Sequence, residues 1–102
     1  MPIQLWIWER RDNGDREVMG NSALELSRAT RGKDGITSAK FYWYRADTVV
    51  LLTEGETAAL DALPPVDSMA AALALADNAK GTLEMRLEEP RDALETYRSA
   101  GR

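Results

Sequence analysis

The 102-residue sequence predicts a single α+β domain in which strands and helices follow the order β-α-β-β-α-β, with an extra helix at the C-terminal end. Three observations carry this. Strong β-formers alternate at period two near both ends of the chain. Two adjoining β-rich runs sit in the middle. Stretches with apolar residues at three- and four-residue spacing separate these strands.

Residues 3–8 form the first strand, with Ile3, Leu5 and Ile7 on one face and Gln4, Trp6 and Trp8 on the other. Asp12-Asn13-Gly14-Asp15 reads as a turn whose last residue can cap a helix. That helix runs over about Arg16–Arg31, with Val18, Met19, Ala23, Leu26 and Thr30 on one stripe. Gly20 weakens it locally. Gly32 and Gly35 bracket its exit. The second strand, about Ile36–Arg45, carries Phe41, Tyr42, Trp43 and Tyr44, and Ala46-Asp47 connects it to a third over Thr48–Thr53. Val49, Val50, Leu51 and Leu52 make a continuous apolar run, which predicts a strand covered on both faces. A short helix over about Thr57–Leu63 ends at Pro64-Pro65. A longer helix, capped by Asp67 or Ser68 and reaching about Lys80, offers Met69, Leu73 and Ala76 as a core stripe beside Ala72 and Leu75. The last strand is Thr82–Glu88, and Pro90 suits the first turn of a final helix with Leu94 and Tyr97 on one side.

Right-handed crossovers around a central hairpin turn this order into a ferredoxin-like, four-stranded antiparallel sheet with helices on one face. The aliphatic sets Ile3, Leu5, Ile7 and Leu83, Met85, Leu87 are expected toward the helices, joined by Phe41 and Trp43. The opposite face then presents Gln4, Trp6, Trp8, Lys40, Tyr42, Tyr44, Glu84, Arg86 and Glu88. So much exposed aromatic surface predicts a partner, and a second copy of the chain is the economical one. Trp8→Ala is expected on this basis to weaken dimerisation.

Composition narrows the chemistry. The net charge is −4, with eight basic and seven acidic residues over 1–51 and five basic and ten acidic over 52–102. This balance lacks the electrostatic term that dominates nucleic-acid affinity, so no nucleic-acid partner is expected. There is no cysteine, which removes disulfides and thiolate catalysis and fits a cytosolic protein; a bacterial or archaeal cytoplasm is the expected setting. No apolar run is long enough to span a bilayer, so no membrane association is expected. There is also no histidine. A histidine general base, a Ser-His-Asp triad and a proximal haem histidine are thereby excluded, and a zinc site is disfavoured. No metal or other cofactor is expected.

The element order, the stretch Glu9, Arg10, Asn13-Gly14-Asp15 and the passage from Gly35 through Ile36, Thr37, Ser38, Ala39, Lys40 and Phe41 to Tyr44 together resemble the dimeric α+β barrel superfamily, especially small bacterial families of the GYD type. The resemblance implies a homodimer paired through the sheet. The superfamily includes cofactor-free antibiotic monooxygenases, muconolactone isomerases, haem-degrading enzymes, peroxidases and ligand-sensing domains. Lack of histidine sets this chain apart from the haem and peroxidase branches.

Two functional readings stay open. In one, Gln4, Trp6, Trp8, Lys40, Tyr42, Tyr44, Glu84 and Arg86 line a pocket for a small organic ligand, with Arg86 and Lys40 polarising a carbonyl or phenolate. A histidine-free site of this kind suits cofactor-independent oxygenation or isomerisation of an aromatic or electron-rich substrate. In the other, the same residues form only a dimer face of a non-catalytic homo-oligomeric module. Glu84 and Glu88 around Arg86 are either acid–base carboxylates or a cross-strand charge ladder. A cavity of roughly 300 Å³ or more with convergent polar groups separates the first reading from the second.

Overall fold

The computed structural model describes residues 1–100, and for 92, 93, 96 and 100 the backbone only. Its elements are β1 (Ile3–Arg10), α1 (Arg16–Arg31), β2 (Ile36–Tyr44), β3 (Thr48–Gly55), α2 (Thr57–Asp61), a 3₁₀ turn at Val66–Ser68, α3 (Met69–Asn78), β4 (Ala79–Leu87) and α4 (Pro90–Ala100). The strands form one antiparallel sheet in the order β2-β3-β1-β4. No helix among the described residues is long and apolar enough to cross a membrane.

The start of α1 is built as the turn chemistry predicts. Asp15 is the N-cap, and its carboxylate accepts from the backbone N–H groups of Glu17 at 2.8 Å and Val18 at 3.2 Å. Asn78, at the end of α3, holds the preceding loop. Its carbonyl accepts from Arg11 N at 3.0 Å, and its side-chain oxygen accepts from Asp15 N at 2.9 Å. A Cβ at Gly14 would run into that same Asn78 carbonyl, so the close approach itself demands glycine. Removing the cap with Asp15→Ala should cost about 1 kcal/mol. A thermal melt should then show a midpoint lower by roughly 4–8 °C.

Gly20 has a packing reason. A Cβ there would meet the Trp43 ring at 3.1 Å, and the Arg16 guanidinium lies 4.2 Å from the same ring centroid. The glycine lets α1 settle onto an indole that the arginine covers by a cation–π contact. The β2–β3 turn is also tied to this region. Arg45 takes φ 58°, Ala46 O accepts from Arg16 Nε at 2.6 Å, and Asp47 pairs with Arg10 Nε at 3.2 Å.

Strand register settles which side chains share a face. On one side, Trp6 stands between Glu84 and Leu51, with Phe41 beyond. Gln4 stands between Arg86 and Thr53, and Trp8 between Gly81 and Val49. This is the helix face. Trp6, Trp8, Phe41 and Trp43 pack against the core of Met19, Ala23, Leu26, Val49, Leu51, Ala71, Leu75 and Ala79. On the other side run the rows Leu83-Ile7-Val50-Tyr42 and Met85-Leu5-Leu52-Lys40.

The expected parity is therefore inverted for β1 and β4 and correct for β2. Gln4, Trp6, Trp8, Glu84 and Arg86 face the helices, while Ile3, Leu5, Ile7, Leu83, Met85 and Leu87 lie on the open face with Lys40, Tyr42 and Tyr44. The reason is complementarity of volume. The inner surfaces of α1 and α3 offer Ser22, Ala23, Ser27, Ala71 and Ala72, which leave room for indoles but would leave voids above smaller aliphatics.

The same principle rotates α3. Its buried stripe is Ala71 and Leu75, whereas Met69 and Leu73 of the expected stripe are 43% and 61% exposed. In α1, Met19, Ala23, Leu26 and Thr30 are buried as expected, together with Ser22 and Ser27. β3 is closed on one face only. Val49, Leu51 and Thr53 are buried, whereas Val50 and Leu52 are half-buried. In α4, Leu94 and Tyr97 are exposed.

Candidate functional site

Large indoles beneath small-residue helices do not fill the layer completely. A cleft of about 320 Å³ remains between the helix face of the sheet and the helices α1 and α3. Its floor is Trp6 and Trp8 from β1 with Leu51 and Thr53 from β3. Leu26, Ser27 and Thr30 of α1 and Ala72 and Leu75 of α3 form the roof. Leu63 and Pro64, in the segment after α2, contribute to its wall. The Leu63–Pro64 peptide is cis. Among the described residues, the one ionisable side chain lining the cleft is Glu84, which is exposed on the edge strand β4. The volume suits a small organic molecule, and the lining is mainly apolar with a few polar groups.

Glu84 is held within a chain of hydrogen bonds. Arg86 Nη1 donates to Asp61 Oδ1 at 2.8 Å, and Arg86 Nε donates to Gln4 Oε1 at 2.9 Å. Gln4 Nε2 in turn donates to Glu84 Oε1 at 3.4 Å. Gln4 is 3% exposed, so its amide has exchanged water for these two partners. The arrangement fixes the polarity of the amide: its oxygen must face the guanidinium and its NH₂ the carboxylate. Arg86 thus acts on the cleft through Gln4, with its charge answered by Asp61.

The predicted site residues divide into two groups. Gln4, Trp6, Trp8, Glu84 and Arg86 come together at or beside the cleft. Lys40, Tyr42 and Tyr44 lie on the opposite side of the sheet, and Tyr42 and Tyr44 are 51% and 57% exposed. Lys40 therefore cannot join Arg86 in polarising a bound molecule. Glu88 follows β4 and is exposed. Arg91 is paired with Glu95 along α4.

The roof is not evident from the sequence. Ser27 and Thr30 sit one turn apart on the buried stripe of α1, and Thr53 alternates with Leu51 on β3. Three hydroxyls on otherwise apolar stripes were the available signal. Among the described residues, no group of three or more Asp or Glu side chains is placed to hold a metal ion.

No family model matches the chain. No curated protein matches it by sequence. Solved structures do. SnoaB from Streptomyces nogalater, a cofactor-independent oxygenase, superposes with a TM-score of 0.74 at 11% identity, covering 86% of this chain and 91% of that one. An antibiotic biosynthesis monooxygenase gives 0.74 at 14% identity over 87% and 98% of the two chains. A dimeric protein of ferredoxin-like fold from Bacteroides fragilis gives 0.61 at 15% identity over 86% and 96%. At such identities the likeness is one of fold. The chain has the ferredoxin-like α+β fold, and the likeness does not narrow it to the GYD type.

Proposed function

We propose that the cleft binds a small, neutral, electron-rich organic molecule, and that Glu84 takes a proton from it in a cofactor-independent oxygenation or isomerisation. The observation that carries this reading is a cleft of about 320 Å³ walled by Trp6 and Trp8, with Glu84 as the one ionisable side chain among the described residues that line it. Two indoles favour a flat, polarisable ligand. A carboxylate without a lining cation disfavours an anionic one. That departs from the expectation of a phenolate held by Arg86 and Lys40.

Proton removal is the step shared by both reactions. It leaves a carbanion or phenolate on the substrate and a carboxylic acid at Glu84. Isomerisation returns the proton to another carbon. Oxygenation transfers the substrate's electrons to O₂ and forms a peroxide, which takes up the Glu84 proton. Loss of water from that peroxide leaves a carbonyl on the substrate. The substrate supplies the reducing electrons, so neither route needs a metal or flavin. Gln4 and Arg86 hold the carboxylate in place during the transfer.

The open sheet face belongs to the same proposal. Leu83, Met85 and Leu87 are 38%, 39% and 49% exposed beside half-buried Ile3, Leu5, Ile7, Val50 and Leu52. Water-exposed aliphatic area of this extent favours a second copy of the chain packed on this face. A face of this kind is also what a purely structural homo-oligomer would carry. The cleft on the other side favours the ligand-binding reading.

Titration with 2-naphthol, followed through the three indole N–H cross-peaks in a ¹H–¹⁵N spectrum, tests the cleft. The Trp6 and Trp8 signals should shift saturably while Trp43, which packs under Arg16 away from the cleft, stays in place. Unchanged spectra, or equal movement of all three signals, would count against a ligand cleft.

A further inference from the structure

We propose that Ser27 orients the ligand by hydrogen bonding to a neutral oxygen on it, either a hydroxyl or a carbonyl. This rests on the cleft reading above and adds a direction to it.

Ser27 is 4% exposed and lines the cleft. Its Oγ is buried without a hydrogen-bond partner, and among the described residues it is the one side-chain polar atom in that condition. A buried serine in a helix usually bonds back to the carbonyl one turn earlier. Ser27 does not. A hydroxyl removed from water with no partner opposes folding, and such a group in an otherwise satisfied interior needs an explanation. The explanation with support here is a ligand, because Ser27 lines the cleft and its Oγ, closed off from solvent in the free protein, gains a partner if the side chain turns toward a bound molecule. Leu26, Leu51 and Leu75 offer an entering molecule no polar group; the hydroxyls of Ser27, Thr30 and Thr53 are the neutral ones it can meet, and of these Ser27 is the one left buried without a partner.

The polar groups of the cleft are also placed apart. Ser27 comes from α1, which packs over β2 and β3, whereas Glu84 comes from β4, on the far side of β1. The strands β3 and β4 flank β1, so they stand about 10 Å apart across the sheet. A ligand whose oxygen rests on Ser27 therefore extends across the faces of Trp6 and Trp8 toward Glu84. In this pose an acidic hydrogen at the far end of the ligand, on carbon or on a second oxygen, meets the carboxylate. Serine can donate to a carbonyl or accept from a hydroxyl, so both oxygen types fit. A carboxylate or sulfonate does not fit, because Glu84 is the charge it would meet.

The test is a cycle of two proteins and two ligands, read by the Trp6 and Trp8 indole signals. Wild-type protein and Ser27→Ala are each titrated with 2-naphthol and with naphthalene, which differ by one hydroxyl. The wild type should bind 2-naphthol about tenfold more tightly than naphthalene. In Ser27→Ala that preference should vanish through loss of naphthol affinity, with naphthalene binding unchanged. Ser27→Thr keeps the hydroxyl and should keep the preference. Because the hydroxyl removed has no partner in the free protein, Ser27→Ala should melt no lower than wild type.

If both ligands shift Trp6 and Trp8 but their affinity ratio is the same in wild type and Ser27→Ala, the Ser27 assignment falls and the cleft stands. A retained water satisfying Ser27 would give that result. If neither ligand moves those signals in wild type, the cleft reading itself falls, and the Ser27 assignment with it.

Discussion

Met85→Lys is expected to turn a dimer into a monomer. Light scattering should give twice the 11.3 kDa chain mass for the wild type and the chain mass itself for the variant. Met85 begins the row Met85-Leu5-Leu52-Lys40 that crosses the open face of the sheet, and it is 39% exposed in the single chain. A lysine there meets water in the monomer and so leaves the fold unharmed. In a sheet-to-sheet dimer it meets Leu5, Leu83 or their equivalents on the second copy. Two-fold symmetry introduces the charge twice. An unpaired ammonium in such an interface should raise the dissociation constant at least about 100-fold. Met85→Leu should leave association almost unchanged. A monomeric wild type would remove the case for a covered face, and a dimeric Met85→Lys would place the interface elsewhere.

The face on which this argument stands was not legible in β1 or β4 alone. Both sides of β1 are apolar, one aliphatic and one aromatic, and period-two alternation says only that two sides exist. Solvation, the usual arbiter, is silent when a partner covers what the helices do not. Some element boundaries were readable because turn chemistry marks them: Asp15 caps α1 and Pro64-Pro65 closes the α2 region, whereas β4 starts at Ala79, three residues before the expected Thr82. The information that decides parity lies in the helices. Ala23, Ser27, Ala71 and Ala72 are too small to cover Ile3, Leu5 and Ile7 without voids, and they fit indoles. β2 was read correctly because Phe41 and Trp43 were already placed toward the helices, and the register then obliges Trp6 and Trp8 to join them.

Half of the candidate site followed the same path. Trp6, Trp8, Gln4, Glu84 and Arg86 share a face because they alternate on neighbouring strands, and that much is sequence arithmetic once the strands pair. The hydroxyls of Ser27 and Thr30 became visible only with the cavity. A small polar residue on a helical stripe fits either a satisfied core position or a binding site, and the distinction depends on what lies opposite.

Trp8→Ala separates the two faces most sharply. The Trp8 ring packs against the core cluster, and Gly81 lies beside it, where a Cβ would make ordinary van der Waals contact with the ring at 3.6 Å. Truncation removes the partner of both and widens the cleft. The cost for a half-buried indole should be about 3 kcal/mol. In a domain of this size that lowers the melting midpoint by roughly 12–24 °C. The 2-naphthol shift of Trp6 should weaken with it, because the stacked wall is gone. Association should persist wherever the protein is folded, since Trp8 points away from the open sheet face. This reverses the sequence-based expectation that Trp8→Ala weakens the dimer. Light scattering below the lowered midpoint decides the matter: a folded monomer of Trp8→Ala would put the indole at the interface, and a folded dimer puts the aliphatic rows there.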